Sequence, residues 1–190
     1  MKLKSNTDIT LNRLSGKVEN NKITLSAENE TALIEVSQGK ITSIDHKFNN
    51  ENKRFKSPEK DIIIGERTFR RRVEHFVVKG SNSKNLMRIG QTFHLGEGGT
   101  WSSLPHDFEN APEPGFEEIF IYLLNGGSER AIQVGKGLLH TGEPIDSCWT
   151  VNHMDISQIP MGYHPVVGEP DVIVSYIWCY LCTKDEWEKI

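Results

Sequence analysis

The sequence predicts an all-β protein built as a sandwich or a barrel. Apolar and polar residues alternate with a period of two in many short runs, as expected for strands that are buried on one face. Turn residues, mainly Gly, Asn, Asp, Ser and Pro, separate these runs at close spacing. Many short strands with close turns are typical of sandwiches and barrels. Only the C-terminal end carries a signal for the start of a helix.

The first 60 residues contain short strand-like runs, such as Ile23–Ser26 and Ala32–Val36, that are separated by turns. The stretch 47–60 is rich in Asn, Lys, Glu and Ser and is polar enough to be an exposed loop or linker. The sequence therefore predicts a boundary there. We divide the chain into a set of N-terminal strands, 1–60, and a barrel, 61–190.

The second part of the chain continues with strand-like runs bounded by Gly, Asn and Ser. These runs cover residues 61–64, 69–78, 86–93, 118–124, 131–134, 154–159 and 172–181. Beyond them, Thr183 is followed three residues later by Glu186, which is the spacing of a capping box. The segment 184–190 is thus predicted to form a short C-terminal helix, which we interpret as a lid or edge cover.

The composition fits one globular core. The chain has 190 residues, of which 36% are hydrophobic and 25% charged, with a net charge of −4. No apolar run is long enough to span a bilayer, and the N-terminus lacks the apolar stretch of a secretory signal. The negative charge argues against nucleic-acid binding. We expect a cytoplasmic protein without a membrane or nucleic-acid partner, and a homodimer, since antiparallel barrels often pair through edge strands.

The cysteines and a cluster of arginines are interpreted as structural residues rather than as binding or catalytic residues. The cysteines are Cys148, Cys179 and Cys182, an odd number that argues against a disulfide framework and suits a reducing compartment. Cys179 and Cys182 lie three apart on a predicted strand and so point to opposite faces, which favours small buried residues over a zinc or redox pair. The arginines Arg67 and Arg70–Arg72 are interpreted as a solvated strand face or turn, with an anion site as the alternative.

The run that begins at Glu118 carries an acid into an apolar strand. Alternate positions from Glu118 to Leu124 share one face, while Glu117 and the positions between them share the other. Whichever face lines the barrel therefore carries one acid among apolar side chains. Burial of a bare carboxylate costs several kcal/mol, so this acid must be paired, protonated or bound to a metal.

A second informative segment surrounds His164. Pro160 and Gly162 interrupt a strand-like run just before this histidine, and Gly162 is free to adopt a positive φ. A fixed turn of this kind directs one imidazole inward. A lone histidine is more often a satisfied core or surface residue, so the surrounding pattern is what makes His164 a candidate ligand.

These segments resemble the two conserved motifs of cupins. Pro-Met-Gly-Tyr-His at 160–164 is similar to the second motif, and His106 followed by Glu-Glu-Ile-Phe-Ile-Tyr at 117–122 is similar to the first. More narrowly, with Gly-Thr-Trp-Ser-Ser-Leu-Pro-His at 99–106, they resemble the family of 5-deoxy-glucuronate isomerase and 5-keto-4-deoxyuronate isomerase. The resemblance is clearest from about residue 87 to residue 181.

The resemblance implies a fold and a metal site. The fold is a cupin jelly-roll β-barrel, with additional N-terminal strands that correspond to a truncated remnant of the first barrel of those two-barrel enzymes. The site would bind one divalent metal ion, which is zinc, manganese or iron. Its ligands would be Glu118, His164 and His106. The family's first motif has two histidines separated by one residue, whereas this chain has only His106 there. An alignment without a gap puts Asp107 and Glu109 at those two positions instead. The histidines that remain as replacement ligands are His46, His75, His94, His140 and His153.

The reaction that the resemblance implies is aldose-ketose isomerisation of a uronate-like or deoxy-keto sugar acid. The metal would polarise a carbonyl group while a side-chain base moves a proton between adjacent carbons. Tyr176, Glu117 and His153 are the candidate bases. Arg88 is a candidate for binding the substrate carboxylate, and a solvent-facing strand position is the alternative for it. The competing functions are a non-catalytic cupin that binds a sugar or acts as an assembly module, and a metal-dependent epimerase or dioxygenase.

Overall fold

The structure is a computed structural model that describes residues 2–82, 84–95 and 117–181. Within these ranges the chain forms β-strands and one short 3₁₀ helix, Arg67–Phe69. The strands are β1 (Lys4–Ser5), β2 (Asp8–Thr10), β3 (Leu14–Glu19), β4 (Lys22–Ala27), β5 (Glu30–Ser37), β6 (Lys40–Phe48), β7 (Glu51–Phe55), β8 (Lys60–Ile64), β9 (Arg71–Val77), β10 (Met87–His94), β11 (Glu118–Asn125), β12 (Arg130–Leu138), β13 (Pro144–Asn152), β14 (Ile156–Ile159), β15 (Met161–Tyr163), β16 (Val166–Gly168) and β17 (Ile173–Leu181).

The strands form three antiparallel sheets. The N-terminal sheet contains β2 to β7 in sequence order. Its tight hairpins use residues that tolerate left-handed backbone, for example Asn20 and Asn21, with φ of 47° and 63°. The large sheet has the order β1-β14-β11-β17-β10-β9-β8, and in the small sheet β12 lies between β13 and β15 and also pairs with β16. Adjacent strands that are distant in sequence are typical of a jelly roll.

The large sheet lies between the other two and has a core on each face. Alternate residues of β11, beginning with Ile119, pack with the N-terminal sheet in the first core. The remaining alternate residues, beginning with Phe120, pack in the second core with residues of the small sheet such as Ala131 and Val151. The second core lies between the large sheet and the small sheet, which face each other as the two sheets of a jelly roll. We refer to this two-sheet unit as the barrel, and the face of the large sheet that lines it is where the site lies.

The predicted all-β class is confirmed, and β11 has the two faces that the alternation predicts. The predicted helix at 184–190 lies outside the described residues. Strand β8 starts at Lys60 and belongs to the large sheet, near the predicted boundary. However, the first core contains residues from both segments, and β1 pairs with β14, so the two segments are packed together. Their assignment as separate domains stays a prediction.

The cysteines and the arginine cluster have surroundings that agree with structural roles. Cys179 is buried in the first core, Cys148 is exposed, and Cys182 lies outside the described residues. Arg72 forms ion pairs with Asp61 and Glu74, each at 2.7 Å on the surface of β8 and β9. In the described ranges, no helix has the length and apolar character needed to cross a bilayer.

Candidate functional site

Glu118 lies at the start of β11, in the middle of the large sheet, and its side chain faces the barrel. It pairs with Tyr180 of β17 on one side and with Ile159 of β14 on the other. Phe120 and Tyr122, the next residues on the same face, belong to the core of the barrel. Glu118 is buried, with 7% of its surface exposed. Glu118 is therefore the one acidic residue of β11, and it lies on the face that lines the barrel.

His164 lies in a break between two short strands that both pair with β12. Strand β15 ends at Tyr163 and β16 begins at Val166. Gly162 has a φ of 123°, and an added Cβ would lie 2.5 Å from the carbonyl oxygen of Lys136, so glycine is required there. The residue after His164 is a proline, which keeps the histidine backbone extended. This break directs the imidazole into the barrel, where 4% of the residue is exposed.

The two side chains meet, although 46 positions separate them in the chain. Nε2 of His164 lies 3.7 Å from Oε2 of Glu118. The Phe120 ring packs edge-to-face against the imidazole, with centroids 5.7 Å apart. The convergence of Glu118 and His164 that the sequence predicts is therefore present, and an aromatic ring restricts the direction of the histidine.

The donor set of this pair fits a divalent metal. A neutral imidazole nitrogen and a carboxylate oxygen are ligands that zinc, manganese and iron all accept. Two atoms each about 2.0 to 2.2 Å from one zinc ion lie at most about 4.4 Å apart, and the observed 3.7 Å is within that limit. Among the described residues, no group of three His, Cys, Asp or Glu side chains is close enough to hold an ion. Any further protein ligand of such a metal would be outside this group of described residues; His106, Asp107 and Glu109 lie outside the described ranges.

Tyr176 lies on the same barrel face. It pairs with Tyr122 of β11 in the ladder, and its ring stacks on Phe120 with centroids 4.5 Å apart and an angle of 25°. His94 packs edge-to-face against the Tyr176 ring, with centroids 6.1 Å apart. Phe120 also contacts His164, so Tyr176 and the imidazole pack against the same aromatic ring. The structure thus brings Tyr176 to the site.

Trp178 provides a second aromatic surface in the barrel. It stacks on Tyr180 with centroids 5.7 Å apart and contacts His75 edge-to-face at 5.2 Å. Its indole lies across β10 at Gly90, where an added Cβ would collide with the ring and with the carbonyl oxygen of Glu74. Gly90 is therefore required for the position of this tryptophan.

Arg88 is a buried residue of the barrel face, in contrast to the solvent-facing alternative. It is opposite Tyr180, which in turn is opposite Glu118, so the three residues form one row across the sheet. Its Nη1 donates hydrogen bonds to the carbonyl oxygens of Asn85 at 2.9 Å and Met87 at 3.1 Å. The guanidinium group is thus anchored in the row that contains Glu118.

Glu117 does not join this site, because it points to the opposite face of the sheet. Its Oε2 accepts hydrogen bonds from the backbone N–H groups of Arg13 at 2.9 Å and Leu14 at 2.8 Å. The side chain is 1% exposed and lies 3.9 Å from the guanidinium of Arg13. Adjacent residues of a strand face opposite sides, so Glu117 and Glu118 cannot both line the barrel. The prediction of Glu117 as a base is thus not supported by its position.

The other sequence candidates are distributed over the molecule. His46 is fully buried near the first core, 2.7 Å from Glu30 and 3.0 Å from Asn82, and so lies away from the barrel. His153 is exposed, and His140 bonds to Gln158. Of the replacement ligands, His75 and His94 are the two that lie beside the aromatic residues of the barrel. His106 lies outside the described residues.

Sequence reasoning missed the roles of Gln133, which contacts the His164 segment, and of Tyr122, which contacts Gln133. Tyr122 Oη donates a hydrogen bond of 2.7 Å to Gln133 Oε1, and Gln133 Nε2 donates one of 2.8 Å to the His164 carbonyl oxygen. Burial raises the pKa of the Tyr122 phenol well above its usual value, so the group keeps its proton. The available signal was a polar residue at an inward position of β12, between Ala131 and Gly135.

The barrel, its core and its buried acid–histidine pair define a protein of the cupin type. Residues 19–190 match the model of the KduI/IolB family, and the chain belongs to this family. A crystal structure of an IolB-like protein from Salmonella typhimurium LT2 has the same fold, with a TM-score of 0.58 and 18% identity. That similarity covers 92% of this chain and 64% of the other chain.

Curated relatives match part of the sequence. A protein of Bacillus subtilis (strain 168) named 5-deoxy-glucuronate isomerase is 32% identical over 117 residues, which cover 59% of this chain and 41% of the relative. A protein of the same name from Bacillus licheniformis is 32% identical over 112 residues, which cover 56% of this chain and 39% of the relative. The match thus spans about two fifths of the length of these relatives.

Proposed function

We propose that the protein is a metal-dependent isomerase of the aldose-ketose type that acts on a uronate-like or deoxy-keto sugar acid. The observation that carries the proposal is the buried pair of Glu118 and His164, 3.7 Å apart inside a barrel of the KduI/IolB family. Relatives named 5-deoxy-glucuronate isomerase support the reaction class and the acidic sugar. We expect a small molecule as the partner, rather than a nucleic acid or a membrane, because relatives are named for the isomerisation of a small sugar acid.

Glu118 and His164 would hold the divalent metal, with a further ligand from the segment that contains His106. When bound, the metal would polarise the substrate carbonyl and its neighbouring hydroxyl. Without a metal, the buried Glu118 carboxylate still faces the His164 imidazole across 3.7 Å and is not an isolated charge. The arrangement of Glu118 and His164 is therefore compatible with a bound cation and also with a folded protein that contains no metal.

Tyr176 is our candidate for the group that moves the proton between adjacent carbons. Tyr176 lies on the barrel face, and its ring contacts the rings of Phe120 and His94. A fixed ring directs the hydroxyl to one position, which general acid–base catalysis requires. Tyr176 replaces Glu117 in this role, since the Glu117 carboxylate accepts hydrogen bonds from the N-terminal segment on the other face.

Arg88 is our candidate for binding the substrate carboxylate. Arginine forms two parallel hydrogen bonds with a carboxylate, and its charge persists at every physiological pH. The row of Arg88, Tyr180 and Glu118 gives a cation and a metal ligand at the same level of the barrel. A sugar acid that spans this row would present its carboxylate to Arg88 and its reacting carbonyl to the side of Glu118.

The second candidate is a non-catalytic cupin that binds a sugar or acts as an assembly module. The sequence favours it at one point, since the family's first motif has two histidines and this chain has only His106 there. Loss of one imidazole weakens a metal site while leaving the aromatic walls and Arg88 for recognition. The isomerase would therefore bind a sugar acid and convert it, whereas the non-catalytic cupin would bind the sugar without converting it.

The experiment compares turnover and binding on one metal-loaded preparation, with 5-deoxy-glucuronate and hexuronates as substrates. Removal of a metal ligand forfeits several kcal/mol of transition-state stabilisation, so Glu118→Gln and His164→Ala should each lose about 100-fold or more in turnover. The adjacent variant Glu117→Gln is the control, because it changes the other face of the same strand. Undiminished turnover in both barrel variants would exclude this site. Binding without turnover by the wild type would establish the non-catalytic function.

A further inference from the structure

Gln133 bridges two parts of the barrel through buried hydrogen bonds. It lies in β12 of the small sheet, and none of its surface is exposed. Its Nε2 lies within hydrogen-bond distance of three carbonyl oxygens, those of His164 at 2.8 Å, Val134 at 2.9 Å and Pro165 at 3.2 Å. Its Oε1 accepts a hydrogen bond of 2.7 Å from Tyr122 of the large sheet. One amide group thus contacts the histidine segment and the opposite sheet.

The His164 segment needs this amide because it lies outside the ladder of the small sheet. Strand β15 ends before His164 and β16 begins after Pro165, so His164 and Pro165 lie between the two segments that pair with β12. Buried carbonyl groups require a donor. The backbone N–H of Val134 supplies one to Pro165 at 2.9 Å, and Gln133 supplies one to His164. The amide therefore fixes the peptide group from which the imidazole extends.

The hydrogen bond between Tyr122 and Gln133 crosses from the large sheet to the small sheet. Tyr122 lies on β11, four residues after Glu118 and on the same face. Glu118 is thus connected to His164 along β11, across this hydrogen bond and through the Gln133 amide. The burial of both Tyr122 and Gln133 protects the connection from competition by water.

We infer that Tyr122 and Gln133 are positioning residues that set the separation of Glu118 and His164 and, through it, the affinity of the site for a divalent cation. The affinity part rests on the proposed function, because it requires that the pair binds a metal. The geometric part concerns the protein alone. Sites of this kind must be held within about 0.5 Å of their working geometry, so loss of either hydrogen bond weakens cation binding.

Two variants remove the connection at different points. Gln133→Met keeps the length of the side chain and removes every hydrogen bond of the amide, whereas Tyr122→Phe removes only the hydroxyl. The matched control is Gln91→Met, since Gln91 is also fully buried and its amide bonds to Ile41 N at 2.9 Å and Gly39 O at 2.7 Å. Gln91 holds the N-terminal sheet on the other face, so its loss destabilises the protein without touching the His164 segment.

The measurement is the dissociation constant for Co²⁺ and for Zn²⁺, obtained by competition with a chromophoric chelator, together with the Co²⁺ absorption spectrum. Outer-shell partners of metal ligands typically contribute about 10- to 100-fold in affinity, so Gln133→Met should weaken binding by that factor and change the spectrum. Tyr122→Phe should have a smaller effect in the same direction. Gln91→Met should lower the unfolding midpoint comparably and leave affinity and spectrum unchanged. Equal affinities in the two methionine variants would overturn the inference.

A crystal structure of Gln133→Met beside that of the wild type separates this inference from the proposed function. If the wild type binds neither Co²⁺ nor Zn²⁺, the metal-dependent function and the affinity part fail together. The distance between Glu118 Oε2 and His164 Nε2 then decides the geometric part. We expect it to change by more than about 0.5 Å in the variant. A distance that remains at its wild-type value would refute the positioning role whether or not the protein binds metal.

Discussion

Glu117 and Glu118 are adjacent carboxylates with opposite environments, and exchanging each for glutamine should give opposite phenotypes. Glu117 accepts hydrogen bonds from the backbone N–H groups of Arg13 and Leu14, while Glu118 faces His164 in the barrel. We expect Glu117→Gln to lower stability and retain turnover. We expect Glu118→Gln to retain most of the stability and lose turnover.

The magnitude for Glu117 follows from its hydrogen bonds. A hydrogen bond to a charged group contributes about 1.5 to 3 kcal/mol and one between neutral groups about 0.5 to 1.5 kcal/mol. In Glu117→Gln the amide oxygen can still accept from both N–H groups, so the loss is about 1 kcal/mol for each, or about 2 kcal/mol in total. For a chain of this size that corresponds to a decrease of about 4 to 8 °C in Tm. Glu117→Ala leaves both N–H groups without their acceptor and should cost more, about 2 to 6 kcal/mol.

The assay combines urea unfolding with turnover of the sugar-acid panel on the same samples. A general base contributes about 10²- to 10⁴-fold, which is far outside the range expected for a purely structural variant. Loss of turnover at an unchanged unfolding midpoint in Glu117→Gln would refute the structural role and return Glu117 to the candidate bases. A stability loss in Glu118→Gln as large as in Glu117→Gln would refute the assignment of the two faces.

Three further changes test the surroundings of the site. Gly90→Ala should destabilise the protein by about 1 to 3 kcal/mol and alter the fluorescence of Trp178, because the added methyl group collides with the indole. Tyr176→Phe should reduce turnover by about 100-fold or more while the stack on Phe120 preserves the fold; full turnover would assign proton transfer to another group. Burial raises the pKa of the Cys179 thiol, so the unfolded chain loses its proton first and the free energy of unfolding should fall as the pH rises above about 8.5. This decrease between pH 8 and pH 10 should be smaller in Cys179→Ala, and an identical slope would contradict the buried thiol.

The sequence determined the class of fold and the two faces of β11. Period-two alternation is a local property, so each short run indicates a strand whatever its neighbours are. The run from Glu118 to Leu124 therefore separates into two sets of side chains, which the two cores confirm. The motifs around Glu118 and His164 also carried the family resemblance, because a proline, a glycine and a histidine at fixed spacing describe a particular turn.

Only the tertiary structure decided which face of β11 lines the barrel. Alternation leaves Glu117 and Glu118 equivalent until the sheets pack, and packing buries the first against Arg13 and Leu14 and the second against His164. The tertiary structure also decided the partner of His46. This partner, Glu30, lies on another strand, and the local sequence pattern does not predict the contact.

The connection from Tyr122 through Gln133 to His164 was likewise decided by the packing of two sheets. A tyrosine and a glutamine at inward positions have many candidate partners, and only the assembled barrel brings their polar atoms within hydrogen-bond distance. The sequence thus determined which residues point inward, because side-chain direction follows from local backbone geometry. The structure decided which of them meet, since contacts between distant strands depend on the register and packing of the whole fold.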